Sequence, residues 1–154
     1  MATPASAAVV FQVESNQWTV LSLTRSCLAI NRPPNEYNAA PFNALQFRAT
    51  SEGDVFLDVQ YWPLYFVAGE AYTMRLAIDR GKQVAVPAAS PPGVDFSVSS
   101  QAPLSDDLLA ELGGGEVLSV RVDGTPQALT FEIGDLRSVL PTLHVCAGLL
   151  EPAD

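Results

Sequence analysis

Apolar and polar residues alternate with period two along most of the chain, in short runs rich in β-branched and aromatic side chains separated by Gly, Pro and Asn clusters. Such runs put one face of a segment against a core and the other against solvent, the mark of a half-buried strand. The pattern predicts strands over residues 18–24, 28–31, 44–50, 55–61, 72–78, 83–86, 95–98, 117–122 and 128–133. Nine such strands strain a single flat sheet, so a mostly β, antiparallel sandwich or barrel is expected. Turn residues at Glu52-Gly53-Asp54, Arg80-Gly81 and Asp123-Gly124 separate successive runs and fit hairpins.

Two segments depart from this rhythm. Residues 105–112 open on Ser105, a good N-cap, place Asp106 and Asp107 in a first turn and stop at Gly113-Gly114-Gly115, which predicts a short helix. From Asp135, Leu136, Val139, Leu140, Leu143 and Ala147 recur at helical spacing up to Gly148, giving a second helix near the C-terminus. Pro141 falls inside it and removes a backbone donor, so a kink or an interruption is expected there. No repeat or low-complexity linker divides the chain, and residues 1–154 read as a single domain.

Two cysteines, Cys27 and Cys146, bracket almost the whole pattern. Metal sites and redox dithiols need sulfurs close in sequence or a supporting ligand set, and the chain has a single histidine, His144. The spacing suits a disulfide staple, which persists in an oxidising compartment; two buried free thiols are the alternative. Residues 1–8 lack the basic and apolar regions of a signal peptide. Residues 1–12 read as a loosely ordered remnant left after signal removal, or as the frayed start of a cytoplasmic protein.

The charge balance excludes some partners. The acids number 17 against 8 cations, a formal net charge of −9, and the seven Arg and Lys82 are scattered singly. Nucleic acid and anionic membrane surfaces, which need clustered cations, are poor partners. Hydrophobic residues make up 48% of the chain and charged ones 16%, a buried-strand composition. No run approaches the ~18 apolar residues of a transmembrane segment.

Candidate chemistry is sparse. Residues 31–43 hold four Asn and three Pro, which stiffen an extended loop. Arg32, Glu36, Tyr37 and Asn38 would offer a guanidinium, an acceptor and an aromatic face to a protein or glycan partner; the alternative is an ordered crossover that satisfies its own backbone. The aromatic group Phe56, Tyr61, Trp62, Tyr65, Phe66 and Tyr72 either fills the core or exposes a platform, with Trp62 and Tyr65 the candidates for contact. His144 has no Gly-x-Ser-x-Gly elbow to serve. Asp106-Asp107 are explained by the helix dipole and Gly113 to Gly115 by helix termination. Glu52 and Asp54 lack the spaced acidic loop of a calcium site. No cofactor and no metal site is expected.

From Val55 onward, the order of features is similar to the invasion-associated locus B family of small alphaproteobacterial periplasmic or surface proteins. The matching features are the strand ending at Trp62-Pro63, Val67-Ala68-Gly69, Met74-Arg75-Leu76-Ala77-Ile78-Asp79, the helix up to Gly115, Val117-Leu118-Ser119-Val120 and Gly134-Asp135-Leu136. An early Trp18-Thr19-Val20 followed by a cysteine also resembles that family. Its members carry a further closely spaced cysteine pair in mid-chain, and residues 84–99 contain none. The resemblance implies an exported β-sandwich without known catalytic residues, sometimes linked to host-cell interaction, and carries over no site residue. The expected function is a non-enzymatic periplasmic or secreted protein acting through protein or glycan contacts. The alternatives are a structural subunit of a larger envelope assembly and, behind it, a hydrolase built around His144.

Overall fold

The computed structural model describes residues 9–11, 13, 15, 17–32, 44–61, 64–126 and 128–151. Ten strands and two helices follow in the order β1 (Val9–Phe11), β2 (Thr19–Ser22), β3 (Ser26–Ile30), β4 (Ala44–Thr50), β5 (Val55–Gln60), β6 (Ala71–Ile78), β7 (Val84–Ala89), β8 (Ser97–Ser100), α1 (Asp106–Gly113), β9 (Val117–Val122), β10 (Leu129–Glu132) and α2 (Leu136–Gly148). The strands form one ten-stranded sheet in the order β1-β2-β3-β4-β5-β8-β7-β6-β9-β10, and every pair is antiparallel. The chain leaves the ladder after β5 and returns, so that β8 lies between β5 and β7.

The sheet curls over its own apolar face. Val20, Phe47 and Leu57 from one half share a single buried cluster with Met74, Leu118 and Phe131 from the other. The Trp18 ring lies 6.0 Å from that of Phe47 within it. Asn31 Nδ2 donates to the Glu132 carbonyl at 3.0 Å, linking the end of β3 to the far strand β10. The mostly β, antiparallel fold expected from the period-two runs, as a sandwich or barrel, is observed as one curled sheet with its last helix near the C-terminus.

Local chemistry sets the element ends. Ser105 Oγ accepts from Leu108 N at 3.1 Å and caps α1, while Gly114 N donates back to Ala110 and Glu111 carbonyls. A side chain at Gly115 would stand 2.5 Å from Ile78 Cγ2, so this position fits only glycine without movement. The β6 to β7 hairpin turns at Asp79 and Arg80, both at left-handed φ of 52° and 62°. Asp79 Oδ1 accepts from Glu116 N and Val117 N at 3.0 and 2.9 Å, which holds that conformation in place.

The structure revises two boundaries. β7 continues through Pro87 to Ala89, beyond the end at residue 86 that the alternating pattern predicts. Gln101 N donates to the Pro87 carbonyl at 2.9 Å, so the ring nitrogen faces the side on which β8 ends at Ser100 and no ladder donor is lost. α2 runs uninterrupted through Pro141. Pro141 and Arg137, whose carbonyl the ring deprives of its helical partner, are both exposed, so the missing bond falls on the solvent side of the helix.

Cys27 and Cys146 are bonded, with Cα atoms 6.1 Å apart, and tie β3 to α2. Both residues are completely buried. The helix buries Leu136, Val139, Leu143, Cys146 and Ala147 and reaches from Asp135, whose carboxylate accepts from Ser15 Oγ at 2.8 Å, to Cys27. Leu140 is only half-buried. No helix among the described residues is long and apolar enough to cross a membrane.

Candidate ligand-binding groove

With one face of each strand committed to the core, the other face is free to carry function. In β4, Leu45, Phe47 and Ala49 point inward, which turns Gln46 and Arg48 outward; in β5, Leu57 and Val59 point inward and turn Phe56, Asp58 and Gln60 outward. Register then aligns these residues across strands. Ile30, Gln46, Asp58 and Ser99 form one row, and Ala44, Gln60 and Ser97 form the next. Leu23, Leu28, Pro91 and Val94 rise beside them, enclosing a groove of about 440 Å³.

The floor of the groove is polar and ordered. Asp58, 9% exposed, accepts at Oδ2 from Gln46 Nε2 at 2.7 Å and from Arg48 Nε at 3.3 Å. Among the described residues its Oδ1 meets Arg48 Nη2, at 3.5 Å, the outer limit of a hydrogen bond. The Arg48 guanidinium also lies 4.7 Å over the Phe56 ring, which fixes its direction. Beside this pair, Gln60 Oε1 is buried and has no donor. Apolar walls over a few directed polar atoms are the usual make-up of a binding site.

Of the residues singled out in the sequence for binding, Arg32 and Tyr65 are described and neither lines this groove. Arg32 is half-buried and follows Ile30 at the groove's end; its carbonyl accepts from Thr19 Oγ1 at 2.8 Å. Glu36, Tyr37, Asn38 and Trp62 fall outside the described residues. Tyr65 is 73% exposed, whereas neighbouring Phe66 is buried with its ring edge-on to Tyr61 and Tyr72. The Tyr65 segment is anchored at the same end, through Tyr61 N to the Phe96 carbonyl and Phe66 N to the Asp95 carbonyl, just before the Ser97 row. Sequence reasoning missed Gln46, Arg48, Asp58 and Gln60. Their outward phase was readable in the alternation, but their meeting depends on register.

Other clefts offer less chemistry. His144 is exposed and lines a recess of about 200 Å³ with Asp106, Leu109, Leu140 and Leu143, and no serine or free thiol joins it there. The nearest hydroxyl in sequence to that Asp, Ser105 Oγ, is engaged as the α1 cap. Glu116, Glu132 and Asp135 border a separate cleft, with Glu116 paired to Arg137 at 2.8 Å. Among the described residues no group of three or more His, Cys, Asp or Glu is placed to hold a metal ion. On the opposite outer face Arg75 grips Asp123 with bonds of 3.1 and 2.9 Å. The hydrogen bond from Arg75 holds the Asp123 carboxyl below its ordinary range, and the same bond raises Arg75.

No protein-family profile matches the sequence, and no curated protein matches it. Among solved structures, the fold is similar to the crystal structure of invasion associated protein B from Bartonella henselae, with a TM-score of 0.62 and 16% identity, covering 89% of this chain and 96% of that one. At this identity the likeness establishes a shared fold, which agrees with the fold implied by the sequence resemblance.

Proposed function

We propose, from a fold shared with an invasion-associated bacterial protein, that this chain is a non-enzymatic envelope or secreted protein that binds another protein in its outer-face groove. The observation that carries this reading is the groove itself, where an ordered Arg48–Asp58–Gln46 floor lies among Leu28, Ile30 and Val94 on a face the core does not use. The buried Cys27–Cys146 bond supports an oxidising compartment, in keeping with export. A protein segment suits the groove better than a sugar does, because its described lining carries aliphatic walls and no aromatic ring on which a sugar would stack. Arg32, Glu36, Tyr37, Asn38, Trp62 and Tyr65, singled out in the sequence, are proposed as further contacts for the same partner.

Site-specific photo-cross-linking in an envelope fraction of the source organism tests the assignment. A photoreactive residue in place of Val94, in the groove wall, should yield a discrete protein adduct that the same residue at Ala77, on the opposite face, does not. Equal adducts from both positions, or none from Val94, would overturn it.

A further inference from the structure

We infer that β10 is a self-association edge, which pairs antiparallel with β10 of a second copy of this chain about Thr130. The contact lies away from the groove and follows from how the sheet ends. β10 is the last strand in the sheet order and pairs with β9 alone. Ile133 N donates to the Glu116 carbonyl at 2.8 Å, so the alternate residues Phe131 and Leu129 also aim their backbone groups at β9. Thr130 and Glu132 aim theirs away from it. Asn31 Nδ2 takes the Glu132 carbonyl, and among the described residues nothing bonds the Thr130 N–H, the Thr130 carbonyl or the Glu132 N–H. Both residues are exposed.

The occupant follows from the side chains. When two copies of β10 meet with Thr130 facing Thr130, each Thr130 N–H donates to the other's carbonyl and each Glu132 N–H to the other's Ala128 carbonyl, without displacing Asn31. Half-buried Leu129 then faces Phe131 of the second copy, extending the apolar inner face. On the outer face Glu132 lies across from Ala128 of the second copy, and the register that sets Leu129 against Val120 places that copy's Arg121 one strand beyond. A small residue between them lets the two long side chains meet. Both charges are exposed, and neither has an ion pair among the described residues. Arg121 instead lies opposite Arg75, whose guanidinium is held by Asp123. By symmetry the Glu132 to Arg121 pair forms twice, which opposes the repulsion between two chains of net charge −9. Pairing centred on Glu132 would set like charges face to face.

A second open stretch marks the contrast. Residues 84–86 of β7 lie beyond its pairing with β8 at Ala88 and Ala89, and they are flanked by Lys82 and Pro87, residue types that discourage strand addition. β10 carries neither. Ala77, two strands in from β10, lies outside the contact.

Sedimentation equilibrium over a concentration series tests the inference. The mass should rise from one chain toward two with a dissociation constant between about 10 μM and 1 mM, as suits two short strands. Thr130→Pro removes an N–H that the ladder to β9 does not use, so it should keep the fold and abolish the dimer. Glu132→Arg should weaken the dimer about tenfold, and adding Arg121→Glu should restore it to within about threefold of the wild type. Thermal melts serve as the folding control, and the charge swap at two exposed positions decides the matter even if Thr130→Pro unfolds. A single-chain mass up to about 1 mM, or a dimer that the charge reversal leaves unchanged, would overturn the inference while leaving groove docking intact. So would a photoreactive residue at Ala128 that cross-links to a different protein in place of a second copy.

Discussion

Replacing both cysteines by alanine tests how much of the fold depends on the staple between β3 and α2. The bond closes a loop with a sequence separation of 119, so in the chain-entropy model it restricts the unfolded ensemble by about 4.9 kcal/mol. Both sulfurs are fully buried, and the small voids left by alanine act in the same direction. A domain of this size has a total stability of about 5–15 kcal/mol, so the Cys27→Ala, Cys146→Ala variant should keep its fold only marginally. Urea unfolding followed by circular dichroism should show the midpoint lowered by about 2 M, given slopes of about 1–3 kcal/mol per molar. The slope itself should rise if the uncross-linked chain unfolds to a more expanded state. A loss below about 1 kcal/mol, smaller than the entropy of even a short loop, would refute the reasoning. It would mean that α2 is held by its apolar face alone.

Three further outcomes follow from particular contacts. Leu143→Ala, at 1% exposure, should cost about 2–5 kcal/mol, and half-buried Leu140→Ala clearly less; equal costs in urea unfolding would misplace the buried face of α2. Tyr65→Ala should shift stability by no more than about 0.5 kcal/mol, because its ring is exposed, and a larger loss would assign it to the core. The Asp123 carboxyl is held low by Arg75, so the pair's contribution is present above the unfolded carboxyl value of about 3.9 and is lost as pH falls through the lower folded value. Asp123→Asn should therefore flatten part of the acid-unfolding curve, an effect that salt shrinks because both groups are exposed; parallel curves for wild type and variant would remove the pair from the account.

The residues that organise the fold were readable because each carries a local signal. Leu45, Phe47 and Ala49 alternate cleanly, Ser105 caps a helix that Gly114 ends, and two lone cysteines bracket all but the earliest strands. β1 escaped notice because three residues are too few to show a period, and its pairing with β2 alone defines it. Pro87 suggested a strand end because sequence does not show which side of the strand lacks a partner. The aromatic run divides by position, with Tyr61 and Phe66 in the core and Tyr65 exposed, as strand phase before the loop and packing after it dictate. The groove was hidden for a different reason. Gln46 and Asp58 lie twelve residues apart, and only the register of β4 on β5 brings them into contact.

The most direct measurement of the central claim is a chemical-shift map of the isotope-labelled protein titrated with the protein cross-linked through position 94. The account expects saturable shifts at Leu28, Gln46, Asp58, Gln60, Ser97 and Ser99, and little change at Ala77, Ser119 and Thr130 on the opposite face. Shifts centred on Ala77 and Thr130, or spread evenly over both faces, would contradict it.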